Sequence, residues 1–143
     1  MEEEEEGIRP HEDLYLVTTQ LDCYTIKKIM IDIGASVNVL FRTAWRGLKR
    51  RSNKLKQDNE PLISFSGDVV LPLGSDNIVV VLEGQGGTVR TLVKFIVVDC
   101  ESSYNGILGR LALWKMKTFV AGHMLITKIP TPTGIATIRG DQT

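Results

Sequence analysis

The residue best suited to chemistry in this sequence is Asp32, which follows the apolar residues 29–31 and precedes Ile33 and Gly34. An aspartate before a glycine is most often only a turn former, but a carboxylate at a strand end can also act as a general acid or base. Cys23 and Cys100 lack the spacing of a metal site. The glycine-rich residues 84–87 lack the Lys-Ser pair and helix of a phosphate-binding loop. Proton transfer at Asp32 is therefore the chemistry to consider.

The elements that would position Asp32 are mainly short strands. Residues rich in β-branched and apolar types, separated by glycine turns, predict strands and hairpins at 15–19, 25–32, 37–41, 61–65, 69–71, 78–83, 88–99 and 124–129. Two short helices are predicted at 43–49 and 111–117, and Pro130 and Pro132 are expected to end the strand pattern. This pattern is typical of a small, mostly β barrel or sandwich.

Length and composition indicate one ordinary globular domain. The chain has 143 residues, 43% apolar and 24% charged, which suffices for one core. It contains neither an apolar run long enough to span a membrane nor a visible secretory signal. We therefore expect an intracellular, cytoplasmic protein with reduced cysteines and no membrane partner.

Charge is balanced overall, with 17 basic and 17 acidic residues, but it is unevenly distributed. Residues 2–6 are all glutamate, and we expect residues 1–10 to form an acidic, disordered N-terminus. Six basic residues lie between Arg46 and Lys56. They could contact nucleic acid, but a solvated helix end and loop is the preferred interpretation, because no nucleic-acid module surrounds them.

Two motifs carry a resemblance to a known family: the apolar strand ending in Asp32-Ile33-Gly34, and the tetrapeptide Ile107-Leu108-Gly109-Arg110 before a helix. With the intervening segments, they resemble the retropepsin-like aspartic protease domain of plant Ty3/gypsy-type retrotransposon polyproteins. The resemblance implies a closed, mostly β barrel with one short C-terminal helix, acting as half of a homodimer. It places the protease domain at 11–129, followed by a tail at 130–143 toward a downstream polyprotein region.

The resemblance also implies roles for individual residues. The catalytic residue would be Asp32, in an active-site loop with Ile33, Gly34 and Ala35. A flap over an extended peptide substrate would include Ile63, Phe65, Ser66 and Gly67. The structural motif before the helix would be Ile107, Leu108, Gly109 and Arg110. Two Asp32 carboxylates, one from each subunit, would activate water without a metal or cofactor. The implied activity is endopeptidase cleavage of a retroelement polyprotein.

Ile33 departs from the family pattern, which has threonine or serine at this position. In the family, that hydroxyl joins the two active-site loops across the dimer axis. Isoleucine cannot form this hydrogen bond, and each buried group left unpaired costs about 1–3 kcal/mol. Two alternatives therefore stay open: an active endopeptidase, or a catalytically impaired or inactive protease-fold module.

Overall fold

The computed structural model describes residues 15–49, 55–56, 63–65, 68–70, 72–121 and 126–141. The described strands are β1 (Leu16–Leu21), β2 (Tyr24–Ile31), β3 (Asn38–Phe41), β4 (Ile63–Phe65), β5 (Asp68–Val70), β6 (Pro72–Gly84), β7 (Gly87–Val98), β8 (Gly106–Leu108), β9 (Phe119–Ala121), β10 (Ile126–Thr131) and β11 (Gly134–Arg139). The described helices are α1 (Arg42–Gly47) and α2 (Arg110–Lys115). None of these helices is long and apolar enough to cross a membrane.

Six strands form a closed barrel in the order β1-β2-β8-β3-β7-β6, and β6 pairs back onto β1. The long β6–β7 hairpin supplies most of the wall, and β8 lies between β2 and β3. Strand β8 runs parallel to β2 and antiparallel to β3. The predicted closed, mostly β barrel is therefore confirmed.

The apolar pattern explains which strands are covered on one face and which on both. In β1 burial alternates, so that Val17, Thr19 and Leu21 face inward, as expected of a strand with one covered face. In β3 all four residues are buried. Its Leu40 packs in the main core, whereas Val39 and Phe41 belong to a second apolar cluster on the opposite face. Strand β3 is therefore enclosed on both sides.

The predicted end of the strand pattern at Pro130 is wrong. Strand β10 continues through Pro130 to Thr131, and β11 returns beside it. The proline is tolerated because, among the described residues, β9 pairs with Ile126–Lys128 alone. At Pro130 one side of β10 therefore has no paired strand, and the N–H that proline lacks is not needed there. The β9–β11 sheet thus extends well past the proline.

This three-stranded sheet packs against the start of the barrel through Tyr15. The Tyr15 hydroxyl donates to the Ile138 carbonyl at 2.8 Å and lies 2.6 Å from the Thr127 hydroxyl. Because a phenol has one proton, Thr127 donates in the second bond. Burial raises the pKa of Tyr15, and the bond to Thr127 partly opposes this. Ile129 and Ile138 join the barrel core, so the sheet and the barrel share one interior.

Candidate active site

Asp32 lies immediately after β2, where β2 and β8 end side by side. Ile31 is paired with Leu108, and the Asp32 amide donates to the Leu108 carbonyl at 3.0 Å. The Ala35 amide donates to the Asp32 carbonyl at 3.1 Å, closing the turn that follows. The backbone of Asp32 is therefore fixed on both sides by the fold.

The Asp32 carboxylate is oriented by its own loop. Its Oδ1 accepts a hydrogen bond from the Gly34 amide at 2.9 Å, and the residue is half-buried. A Cβ at Gly34 would lie 3.2 Å from the same oxygen, closer than most real contacts. Within one chain, a side chain at this position would require the carboxylate to shift by a few tenths of an ångström. The carboxylate is held in place yet remains reachable by solvent.

Residues 107–110 complete the support of this loop. The Arg110 amide donates to the Ala35 carbonyl at 2.7 Å. A Cβ at Gly109 would lie 2.3 Å from the Val37 carbonyl oxygen and 2.7 Å from that of Ala35. Only glycine lets the backbone approach this closely. The fold therefore brings the two sequence motifs into direct contact.

Asn38 is a further supporting residue, which the sequence reasoning missed. Its side chain is buried, accepts from the Gly109 amide at 2.8 Å through Oδ1, and donates to the Lys94 carbonyl at 3.1 Å through Nδ2. Buried amides need such partners. An asparagine within the apolar residues 37–41 was the available signal, but its partners lie 56 and 71 positions away.

Replacing Asn38 should destabilise the support of Asp32. Asn38→Leu leaves the Gly109 amide and the Lys94 carbonyl without this partner, so the free energy of unfolding should fall by about 2–6 kcal/mol, at 1–3 kcal/mol for each group. Asn38→Asp keeps the acceptor but can donate to Lys94 only when protonated. Burial raises the pKa of such a carboxyl group. The free energy of unfolding of Asn38→Asp should therefore approach that of the unmodified protein as the pH falls.

Urea unfolding of both variants and the unmodified protein at neutral and mildly acidic pH measures this effect. Asn38→Leu lacks a titratable group at this position and controls for other pH effects. An Asn38→Leu variant as stable as the unmodified protein would contradict the supporting role.

Ile33 and Arg110 lie at the surface next to this loop. Ile33 is 58% exposed although its side chain is large and apolar. The Arg110 guanidinium lies over the Trp114 ring, 5.7 Å from its centroid. An exposed apolar side chain and a half-buried guanidinium therefore lie in the two motifs that hold Asp32.

Comparison with known proteins identifies the fold. No protein-family model and no curated protein matches this chain. Among solved structures, the retroviral protease-like domain of Ddi1 from Leishmania major matches with a TM-score of 0.59 at 14% identity, covering 90% of this chain and 94% of that domain. The chain has the retropepsin fold.

Two further structures with the retropepsin fold agree. A retropepsin-like aspartic protease from Rickettsia conorii gives a TM-score of 0.56 at 17% identity, covering 91% of this chain and 85% of that protein. The EIAV protease, complexed with the inhibitor HBY-793, gives 0.52 at 19% identity, covering 84% and 99%. These structural neighbours are retropepsin-like aspartic proteases. The narrower resemblance to plant Ty3/gypsy elements stays a prediction.

The chain also contains the hairpin that is expected from the sequence to form the flap. Strands β4 and β5 pair with each other, with Phe65 opposite Asp68. Ser66 and Gly67, the predicted tip, lie outside the described residues. Within the described part of the chain, no group of three His, Cys, Asp or Glu side chains could hold a metal ion. Substrate contact by Ile63 and Phe65 stays a prediction.

Proposed function

We propose that this protein is an aspartic endopeptidase that acts as a homodimer on peptides in extended conformation. The observation that carries the proposal is the Asp32 carboxylate, half-buried and fixed by its loop at the paired ends of β2 and β8 in a retropepsin fold. That arrangement presents a carboxylate to solvent in a defined orientation. It suits proton transfer to and from a bound water.

The homodimer follows from the need for a second carboxylate. Residues 32–37 of one chain contain a single acidic side chain, whereas water activation of this kind uses two carboxylates that share a proton. A two-fold axis beside the loop would supply the second Asp32 from an identical surface on the partner. The exposed Ile33 side chain, next to Asp32, would then be covered by the facing loop.

The proposed reaction moves protons between water, the two carboxylates and the peptide. One carboxylate accepts a proton from water, and the resulting hydroxide attacks the peptide carbonyl carbon. The protonated carboxyl donates its proton to the carbonyl oxygen, which gives a gem-diol. The carboxyl that took the water's proton then passes it to the leaving nitrogen as the C–N bond breaks, while the other carboxylate takes a proton back from the gem-diol as the new carboxylic acid forms. The β4–β5 hairpin would close over the substrate and limit the access of water. The substrate would lie as an extended strand whose alternate side chains enter pockets.

The proposed substrate is a retroelement polyprotein, on the basis of the sequence motifs around Asp32 and Gly109. A second candidate function is a catalytically impaired or inactive module with the same fold. Ile33 favours this alternative, because an apolar side chain replaces the hydroxyl that would join the loops. In that case the chain would serve as a binding or dimerisation unit.

Peptide-library hydrolysis at mildly acidic pH, over a wide range of protein concentration, tests the proposal. If two chains build one site, the rate per mole of protein should rise with concentration until the dimer saturates. Sedimentation velocity under the same conditions should show the dimer forming over the same range. A constant rate per mole across that range, with a monomer throughout, would overturn the dimeric mechanism. Failure to cleave any peptide as a proven dimer would favour the inactive module.

A further inference from the structure

A cavity of about 200 Å³ lies between α2 and β7, and Asp32 does not line it. We call it the α2–β7 groove; its apolar lining includes buried Val93, Ile96 and Ala112 and half-buried Val37. An apolar cavity of about 150 Å³ is large enough to bind benzene. The groove can therefore hold one bulky aliphatic or aromatic side chain.

The mouth of the groove is apolar and exposed. Leu92 on β7 is 49% exposed and Leu111 on α2 is 55% exposed, and both line the cavity. Trp114, three positions after Leu111 and so on a similar face of the helix, is 66% exposed. Grouped exposed apolar side chains typically mark interaction sites. This group is therefore a candidate surface for a partner.

Among the described residues that line the groove, every charged side chain is positive. Lys94 and Lys115 are the charged members of this lining, and Arg110 lies over the Trp114 ring next to it. The Lys115 ammonium donates to the Leu92 carbonyl, which places this charge at the mouth. The whole chain carries no net charge, so this positive potential is local. A partner that complements it is acidic.

We propose that the α2–β7 groove binds an acidic peptide segment, with one bulky apolar side chain in the cavity and flanking carboxylates near Lys115 and Arg110. The residues that line the cavity do not include Asp32. The proposal therefore goes beyond peptide cleavage and does not depend on it.

Fluorescence anisotropy with a labelled peptide EELEE tests this site. The protein carries Asp32→Asn, so that hydrolysis cannot consume the probe. Saturable binding is expected, weakened by added salt because the charges are exposed. The peptides QQLQQ and EEGEE should each bind more weakly, since one lacks the carboxylates and the other lacks the apolar anchor.

Substitutions then locate the site. Leu111→Ser should weaken EELEE binding by about fivefold to tenfold through lost apolar burial, and Lys115→Gln by about threefold through a lost exposed charge. Ile135→Ser and Arg46→Gln are matched controls, because both residues are exposed and neither lines the cavity; they should leave the affinity unchanged. No saturable binding, equal binding of QQLQQ or EEGEE, or equal effects of groove and control variants would overturn the proposal.

Discussion

Asp32→Asn should abolish peptide hydrolysis and leave the fold intact. The amide oxygen of the substituted side chain can still accept from the Gly34 amide, as Oδ1 does at 2.9 Å, so the loop geometry should persist. The side chain can no longer take a proton from water. Loss of a positioned general base typically costs about 10²–10⁴-fold, and a symmetric dimer loses both carboxylates at once. Initial rates on a cleaved peptide and urea unfolding give the two readouts.

Mixing unmodified and Asp32→Asn subunits tests whether two chains share one active site. When equal amounts of unmodified and Asp32→Asn chains are refolded together, random pairing leaves about one quarter of the dimers with two Asp32 side chains. Activity should therefore fall to about a quarter of that of unmodified dimers at the same total concentration of chain. Mixing with Glu83→Gln, which removes an exposed charge on β6, controls for charge loss and should leave the rate unchanged. A fall only to half would contradict a site shared between chains.

Ile33→Thr should strengthen dimerisation and, through it, catalysis. A hydroxyl at this position could pair with the facing loop and relieve buried groups that otherwise cost about 1–3 kcal/mol in each subunit. The substitution gives up an ethyl group, worth at most about 1.6 kcal/mol per subunit when wholly buried, at 0.8 kcal/mol per carbon. The hydrogen bonds gained across the dimer axis should outweigh this loss of apolar burial. At the upper end of that range the net gain is about 1.4 kcal/mol per subunit, so we expect a dimerisation constant tighter by up to about a hundredfold, measured by sedimentation equilibrium.

Ile33→Val is the matched control for this change, because it keeps the β-branched shape without a hydroxyl. It should leave the dimer as weak as in the unmodified protein. If Ile33→Val tightens the dimer as much as Ile33→Thr, side-chain bulk rather than hydrogen bonding limits association. Equal dimerisation of all three proteins at nanomolar concentration would show that Ile33 imposes no penalty.

Local pattern was enough to predict most of the described strands, both described helices and the turn after β2 that holds Asp32. Apolar runs and glycine turns place most of those elements within a few positions, although β6 begins at Pro72 rather than at the predicted residue 78, and the Gly109 motif is recognisable as a unit. Other features depend on pairing between distant segments. From the sequence alone, Pro130 is expected to end a strand. The proline is tolerated because, among the described residues, β9 ends before it and β10 is paired there with β11 alone. Likewise, Asn38 acquires its supporting role only when β7 and residue 109 lie on either side of it.

The insertion of β8 between β2 and β3 has a consequence for when the site can form. Residues 29–31 must pair with residues 106–108, more than 70 positions later, before Asp32 acquires the carbonyl that anchors its amide. Contacts of such high sequence separation slow folding, because a long loop must close before they form. A nascent chain that ends before Gly106 would expose unpaired edges of β2 and β3 and lack the Asp32 anchor. Under the proposed function, proteolytic competence would therefore arise late, after most of the chain has been synthesised and folded.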